Sequence, residues 1–237
     1  MVKDFWVVIP AYNEARNIRD VVEGAKKYSS NIIVVDDGSK DKTYYNARKT
    51  NAIVLRHIVN LGKGAALKTG CDFAVMHKAR KIVVLDADGQ HDPNETPKFV
   101  KLLEDYDIVF GYRRFTNDMP FVLKFGNVFI NYAINLLYGM RLKDTQCGYR
   151  AFTANAYKKI RWKALDYSME SEMIANTGKH KLKYKEIQIE TIYSDKYKGT
   201  TIIDGIKIVF NMLLWRLRIR DSSDNGMNEN NFIKVDN

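Results

Sequence analysis

The stretch LDADGQHDP, residues 85–93, sets two carboxylates, Asp86 and Asp88, directly after the apolar run KIVV. Neighbouring carboxylates repel, and one of them takes up a proton unless a cation sits between them. In an extended segment, residues two apart project to the same side, so both side chains can face one ion. Mg2+ and Mn2+ favour such hard oxygen ligands and share them with phosphates. Gln90 stands two residues further on and offers another oxygen. The chemistry expected here is a divalent cation, held by Asp86, Asp88 and Gln90, that grips the diphosphate of a nucleotide-sugar. The plain alternative is a solvated Asp-Gly turn.

Other clusters have paired readings too. In Asp36-Asp37-Gly38-Ser39, Asp37 can accept a hydrogen bond from a base or ribose, while Ser39 reads as the N-cap of the following helix. In Pro10-Ala11-Tyr12-Asn13-Glu14, Tyr12 can lie along a base and Glu14 can reach its edge or the ribose. The competing reading is a helix start capped by Asn13. The turn from Asn60 to Ala66 lacks the third glycine of a dinucleotide fingerprint and does not fit a P-loop. A diphosphate at that helix N-terminus stays open, and Gly64 reads as a close strand–helix contact. Arg113, Arg114, Lys124 and Arg150 are cations able to clamp an acceptor phosphate, or else solvated surface charge. Glu170 and Glu172 lie on different faces of a helix, so only one is expected to point into a site. His57 and His91 have no ligand-like spacing, and no Ser–His–Asp or Cys–His arrangement is apparent.

Positioning these groups requires strands and helices in alternation. Short β-branched runs at 5–9, 31–36, 52–56, 81–86 and 107–111 alternate with helical spacing near 14–28, 40–50, 63–79 and 94–104. That order predicts an α/β fold, a mostly parallel central sheet with helices on both faces. Ligands bind at the carboxyl ends of the strands in such sheets. PAYNE, DDGS, DADGQH and GYR all fall at those ends. Downstream, the pattern predicts an amphipathic helix at 121–140, a polar loop at 144–152 running into a short strand, helices at 154–163 and 167–178, and a strand at 183–192. A loop at 193–205 and a basic apolar helix at 204–219 follow. The expected organisation is one domain over 1–220, with a nucleotide-binding half to about 113 and an acceptor-binding half from about 114, then a polar, disordered tail at 221–237.

Hydrophobic residues make up 46% of 237, enough for a packed core of that kind. Lys+Arg of 38 against Asp+Glu of 28 leaves a net charge of +10, which suits an anionic partner: nucleotide, phosphorylated lipid, membrane surface or nucleic acid. Cys71 and Cys147 form no CxxC pair, and a reducing compartment without a structural disulfide is expected. No signal-peptide pattern opens the chain, and no run of about 18 apolar residues predicts a spanning helix. A basic nucleic-acid-binding module would interleave basic and aromatic residues on one face. The acidic strand ends argue against it, so no nucleic-acid partner is expected.

Taken in order, PAYNE, VVDDGS, NLGKGAA, LDADGQHDP, GYR and DTQCGYRAF resemble family 2 glycosyltransferases of the GT-A fold. More closely they resemble polyprenyl-phosphate sugar synthases, the dolichyl-phosphate glucosyl-, N-acetylglucosaminyl- and mannosyltransferases. The likeness covers roughly residues 4–200. DTQCGYR is nearer the glucosyl- and archaeal N-acetylglucosaminyltransferases than the mannose enzymes.

The resemblance implies an inverting, metal-dependent transfer from a UDP- or GDP-sugar to dolichyl or polyprenyl phosphate. GlcNAc or glucose is favoured, with mannose possible, for N-glycosylation or surface glycan assembly. By motif, Pro10, Tyr12, Glu14, Val35 and Asp37 would line the nucleotide pocket, and Asp86, Ala87, Asp88 and Gln90 would meet metal and diphosphate. Arg113 would hold phosphates, with Lys124 and Asn127 in the acceptor-phosphate region. Lys196 takes the place of a donor-closing arginine, without that residue's bidentate fork. An acceptor phosphate with a second pKa of about 6 needs no strong base. Asp88, Arg113 and Asp144 are therefore the catalytic candidates, with Asp144 or Glu170 orienting sugar hydroxyls. The expected location is cytoplasmic, peripheral at the inner face of a membrane, with 121–140 and 204–219 lying in the interface or completing the core. The oligomeric state stays open. The alternative keeps the fold but takes a soluble or surface glycan as acceptor, which would require Glu170 or Glu172 as base.

Overall fold

A computed structural model describes residues 5–113, 132 and 134–190. Lys124, Asn127, Lys196 and the predicted helix at 204–219 lie outside the described residues, as does most of the 121–140 segment. Seven strands form one sheet: β1 Phe5–Ala11, β2 Asn31–Asp36, β3 Ile53–Arg56, β4 Lys81–Val84, β5 Ile108–Arg113, β6 Arg150–Thr153 and β7 Tyr184–Ile189. Their order is β3-β2-β1-β4-β6-β5-β7. Helices α1 Ile18–Lys26, α2 Thr43–Arg48, α3 Lys63–Met76, α4 Thr96–Leu102, α5 Ala154–Ile160 and α6 Ser168–Lys179 connect and cover them.

The central strands β1, β2 and β4 are apolar at nearly every position because both faces are covered. Side chains alternate between two cores, as the period of two requires. Phe5, Val7 and Ile9 of β1 pack with Val21 and Val22 of α1 and Phe99 of α4. Val8 packs on the other face with Ala66 and Leu67 of α3 and Met173 of α6. Each such aliphatic side chain, fully buried, stabilises the fold by about 1.5–3 kcal/mol.

β1 to β4 pair in parallel, while β6 runs antiparallel to both β4 and β5. A strand that opposes both neighbours leaves those neighbours pointing the same way. The carboxyl ends of β1, β2, β4 and β5 therefore share one rim. The amino end of β6 joins them, since Arg150 pairs with Val84 and with Phe110. That single reversal brings the loop 144–149 over the end of β4.

Candidate active site

β4 stops at Val84, and the extended backbone expected through Asp88 gives way to a turn. The Asp88 Oδ1 accepts the Gln90 N–H at 3.0 Å, and Gly89 adopts a positive φ of 76°. Asp side chains that bond the backbone two residues on favour such turns. The two aspartates still interact. Burial pushes the Asp88 carboxyl above the ordinary range, and the Asp86 charge pushes it further. Asp86 moves the other way: burial opposes its charge, but Lys63, His91 and Arg113 together outweigh it, with Lys63 foremost. The Asp86 N–H donates to His91 Nδ1 at 3.4 Å, and burial lowers the His91 pKa. His91 packs beside Tyr149, their ring centroids 5.3 Å apart.

Lys63 is the site residue that the sequence reading missed. Its Nζ lies 2.8 Å from Asp86 Oδ1 and 2.8 Å from Glu170 Oε1, and the two carboxylates hold it protonated despite burial. The turn that aims it depends on Gly62, whose φ is 101°. Asp37 braces this turn: its carboxylate accepts the Leu61 N–H at 3.0 Å and the Gly62 N–H at 2.8 Å, and meets His57 Nδ1 at 2.7 Å. The available signal was a lysine flanked by glycines at a helix start on the acidic rim. Gly64 does not make the expected strand contact. A Cβ there would lie 2.4 Å from the Ala164 carbonyl, whereas Gly70 is where α3 meets β1 through Val8.

At the end of β5, Arg113 and Asp144 form a two-pronged pair, Nε to Oδ2 at 2.7 Å and a terminal nitrogen to Oδ1 at 3.1 Å. Burial opposes the Asp144 charge, yet Arg113 holds its pKa below the ordinary carboxylate value. Arg150 is neither a surface cation nor an exposed phosphate clamp. It is 2% exposed and donates to the carbonyls of Cys147 at 2.9 Å, Glu170 at 2.8 Å and Thr145 at 2.8 Å. The glutamates divide as their helical spacing requires. Glu170 faces Lys63, while Glu172 accepts the backbone N–H groups of Lys163 and Ala164. Both cysteines are buried and free, and burial pushes the Cys147 thiol up to about 12.

Pro10 near the end of β1, Val35 near the end of β2 and Ala87 in the turn after β4 are buried, and Val35 packs into the α3 core. Tyr12 is exposed, and Glu14 Oε2 accepts from the Asn17 amide at 2.9 Å. Neither expected cap forms. Asn17 occupies the N-cap position of α1, and Asp41 accepts the first N–H of α2, that of Thr43, at 2.9 Å. Asn13 and Ser39 instead tie the two loops together: the Asn13 N–H donates to Ser39 Oγ at 2.9 Å, and the Lys40 N–H donates to Asn13 Oδ1 at 2.9 Å.

Among the described residues, no group of three or more His, Cys, Asp or Glu side chains forms a metal cage. A cation shared with a ligand does not need one. Mg2+ takes one or two carboxylates and completes its shell with phosphates and water. Asp86 and Asp88 supply hard oxygens, and burial, with the Asp86 charge added, raises the Asp88 pKa. The donor set fits such a cation.

The sequence pattern described as "Glycosyl transferase family 2" matches residues 6–161. The chain belongs to glycosyl transferase family 2. This family 2 glycosyltransferase is 41% identical to an uncharacterized protein from Methanocaldococcus jannaschii, over 90% of this chain and 93% of that one. It is 33% identical to a UDP-N-acetylglucosamine–dolichyl-phosphate N-acetylglucosaminyltransferase from Methanococcus voltae, over 91% of this chain and 97% of the relative. Glucosyl-3-phosphoglycerate synthase from Mycobacterium tuberculosis, solved with phosphoglyceric acid, superposes with a TM-score of 0.72 at 20% identity, covering 93% of this chain and 82% of its own. The same synthase bound to Mn2+, UDP and phosphoglyceric acid superposes at 0.70. At that identity the likeness shows the shared GT-A fold. No described helix of the glycosyltransferase is long and apolar enough to cross a membrane.

Proposed function

We propose that this glycosyltransferase moves GlcNAc, or else glucose, from its UDP-sugar to a polyprenyl phosphate of the dolichyl type, with inversion and with a divalent cation. The observation that carries the reading is the aspartate pair at the end of β4. Lys63 neutralises Asp86, while Asp88 is driven toward its neutral form by burial and by Asp86. A divalent cation held there would keep Asp88 ionised, and a diphosphate would keep the combined charge small. The Methanococcus voltae relative, matched over nearly its whole length, supports the donor and the acceptor.

Asp86, Asp88 and Gln90 would hold the cation, which when bound offsets the charge that grows on the departing diphosphate. The chain's own residues do the rest. Tyr12 and Glu14, at the end of β1, meet the nucleotide, and Asp37 keeps the Lys63 turn in place beside it. Arg113, held by Asp144 at the end of β5, places its positive charge on the rim where it helps bring two anions together. The acceptor phosphate monoester, with a second pKa of about 6, is largely dianionic near neutral pH and attacks without a strong base. The net charge of +10 suits work at the cytoplasmic face of an anionic membrane, with residues 1–220 acting as one catalytic unit.

The test is to incubate the protein with membranes, or with a short prenyl phosphate in detergent, and with labelled UDP-GlcNAc, UDP-glucose and GDP-mannose. Label from UDP-GlcNAc or UDP-glucose should enter the lipid phase, and excess chelator should abolish it. Label confined to soluble or surface glycan would replace the proposed acceptor, and full transfer in chelator would remove the cation.

A further inference from the structure

Lys63 already sits where the aspartate pair needs a cation. Its ammonium reaches Asp86 Oδ1 and Glu170 Oε1, each at 2.8 Å. The other Asp86 oxygen, Oδ2, faces the backbone of Gly148 and lies 4.0 Å from His91 Nδ1. A divalent cation approaching Asp86 therefore meets a carboxylate whose Oδ1 is committed to an ammonium. It also brings two positive charges beside a third, at short range in a buried site where screening is weak. A diphosphate removes that objection, because its negative charge lies next to both cations. Glu170 is the second claimant on Lys63, and it keeps the ammonium partnered when Asp86 turns to the metal.

We infer that Lys63 makes divalent-cation binding conditional on the donor: it holds Asp86 in the free protein and yields it only when a nucleoside diphosphate enters. Lys63 is thus a positioning residue, acting through Asp86 and Glu170. The inference rests on the metal-dependent reading above.

The measurement is Mn2+ binding to the full chain, followed by the electron paramagnetic resonance signal of free Mn2+, alone and with saturating UDP or GDP. Wild type should bind Mn2+ weakly alone and much more tightly with one of the nucleotides. Lys63→Met should bind Mn2+ alone at least about tenfold more tightly, the scale of one lost charge-assisted hydrogen bond. Lys63→Arg, which keeps the charge, should remain weak. Glu170→Gln removes the competing carboxylate and commits Lys63 to Asp86, so its affinity for Mn2+ alone should fall severalfold. A purely structural lysine would not give opposite changes in the two variants. If Lys63→Met does not fold, as checked by circular dichroism, Glu170→Gln decides by whether its loss of Mn2+ affinity is confined to the nucleotide-free protein, because loss of one negative charge by itself would weaken Mn2+ equally with and without nucleotide. The inference is overturned if wild type binds Mn2+ equally with and without nucleotide, or if the variants leave the affinity for Mn2+ alone unchanged. If no protein binds Mn2+ under any condition, the metal-dependent reading fails first and takes the inference with it.

Discussion

Gly148 lies so close to Asp86 that a Cβ on it would stand 2.2 Å from Oδ2 and 2.8 Å from Cγ. The contact joins two motifs far apart in sequence, DTQCGYRAF and LDADGQHDP. It exists because β6 runs antiparallel beside β4 and carries its preceding loop over the β4 end. The approach is possible only where the loop has no side chain.

Gly148→Ala should therefore separate activity from stability. The added methyl meets mostly the Asp86 carboxylate, which must turn aside, while Glu170 keeps the Lys63 ammonium partnered. Turning aside breaks the Lys63 bridge and moves an oxygen of the proposed cation site by the order of an ångström. Misplacement on that scale costs about 100-fold in rate. We expect kcat/KM to drop by about that factor while the melting temperature moves by only a few degrees, as scanning calorimetry would report.

Asp88 and Asp144 should respond to pH with opposite sign. Asp88 has a raised pKa in the fold, so ionising it costs stability, and that cost appears as pH rises from about 4 through the folded pKa. Asp88→Asn, without metal, should melt higher than wild type near neutral pH and match it below about pH 4. Its turnover should nevertheless be lost, and Mn2+ with UDP should raise the melting temperature of wild type alone. An Asp88→Asn protein that is less stable at neutral pH would contradict the electrostatics described for the pair.

Asp144 has a lowered pKa, held by Arg113 against burial. Its contribution is full above the unfolded value of about 3.9 and is lost as pH falls through the folded one. Breaking a buried pair by removing one partner costs about 3–5 kcal/mol. Asp144→Asn should lose stability on that scale near neutral pH, and the gap to wild type should close as acid is added. Urea unfolding at a series of pH values measures both trends.

The rim of this site was legible because β1, β2 and β4 are apolar runs that end abruptly in polar residues: Ala11 before Tyr12, Val35 before Asp36, Leu85 before Asp86. The division of Glu170 from Glu172 was legible too, since helical geometry alone sends them different ways. Contacts between loops were not. Ser39 and Asn13 look like helix caps in sequence because the same side chains that cap a helix can also bond another loop's backbone. Lys63 reads as part of a packing turn until β4 and α6 stand beside it. The partners of a short antiparallel strand leave no periodic signature, so nothing in sequence announced that β6 inserts between β4 and β5.

Arg150 is the residue most misread for that reason, and it yields the sharpest stability prediction. As the first residue of β6 it points into the core, over the Phe110 ring at 5.3 Å, and its guanidinium ties Thr145, Cys147 and Glu170 together through three carbonyls. Burial lowers its pKa, but a guanidinium keeps its proton where a lysine would be easily discharged. Lysine also lacks the planar fork that spans three acceptors. Arg150→Lys should therefore leave at least one buried carbonyl unsatisfied and cost about 3 kcal/mol. For a chain of this size that corresponds to a fall of about 10 °C in melting temperature. The same loop positions Asp144 and Gly148, so kcat should fall with it, whereas Glu172→Gln, which disturbs the Lys163–Ala164 turn, should spare kcat. Equal melting temperatures for wild type and Arg150→Lys would show that the three carbonyls do not depend on the guanidinium.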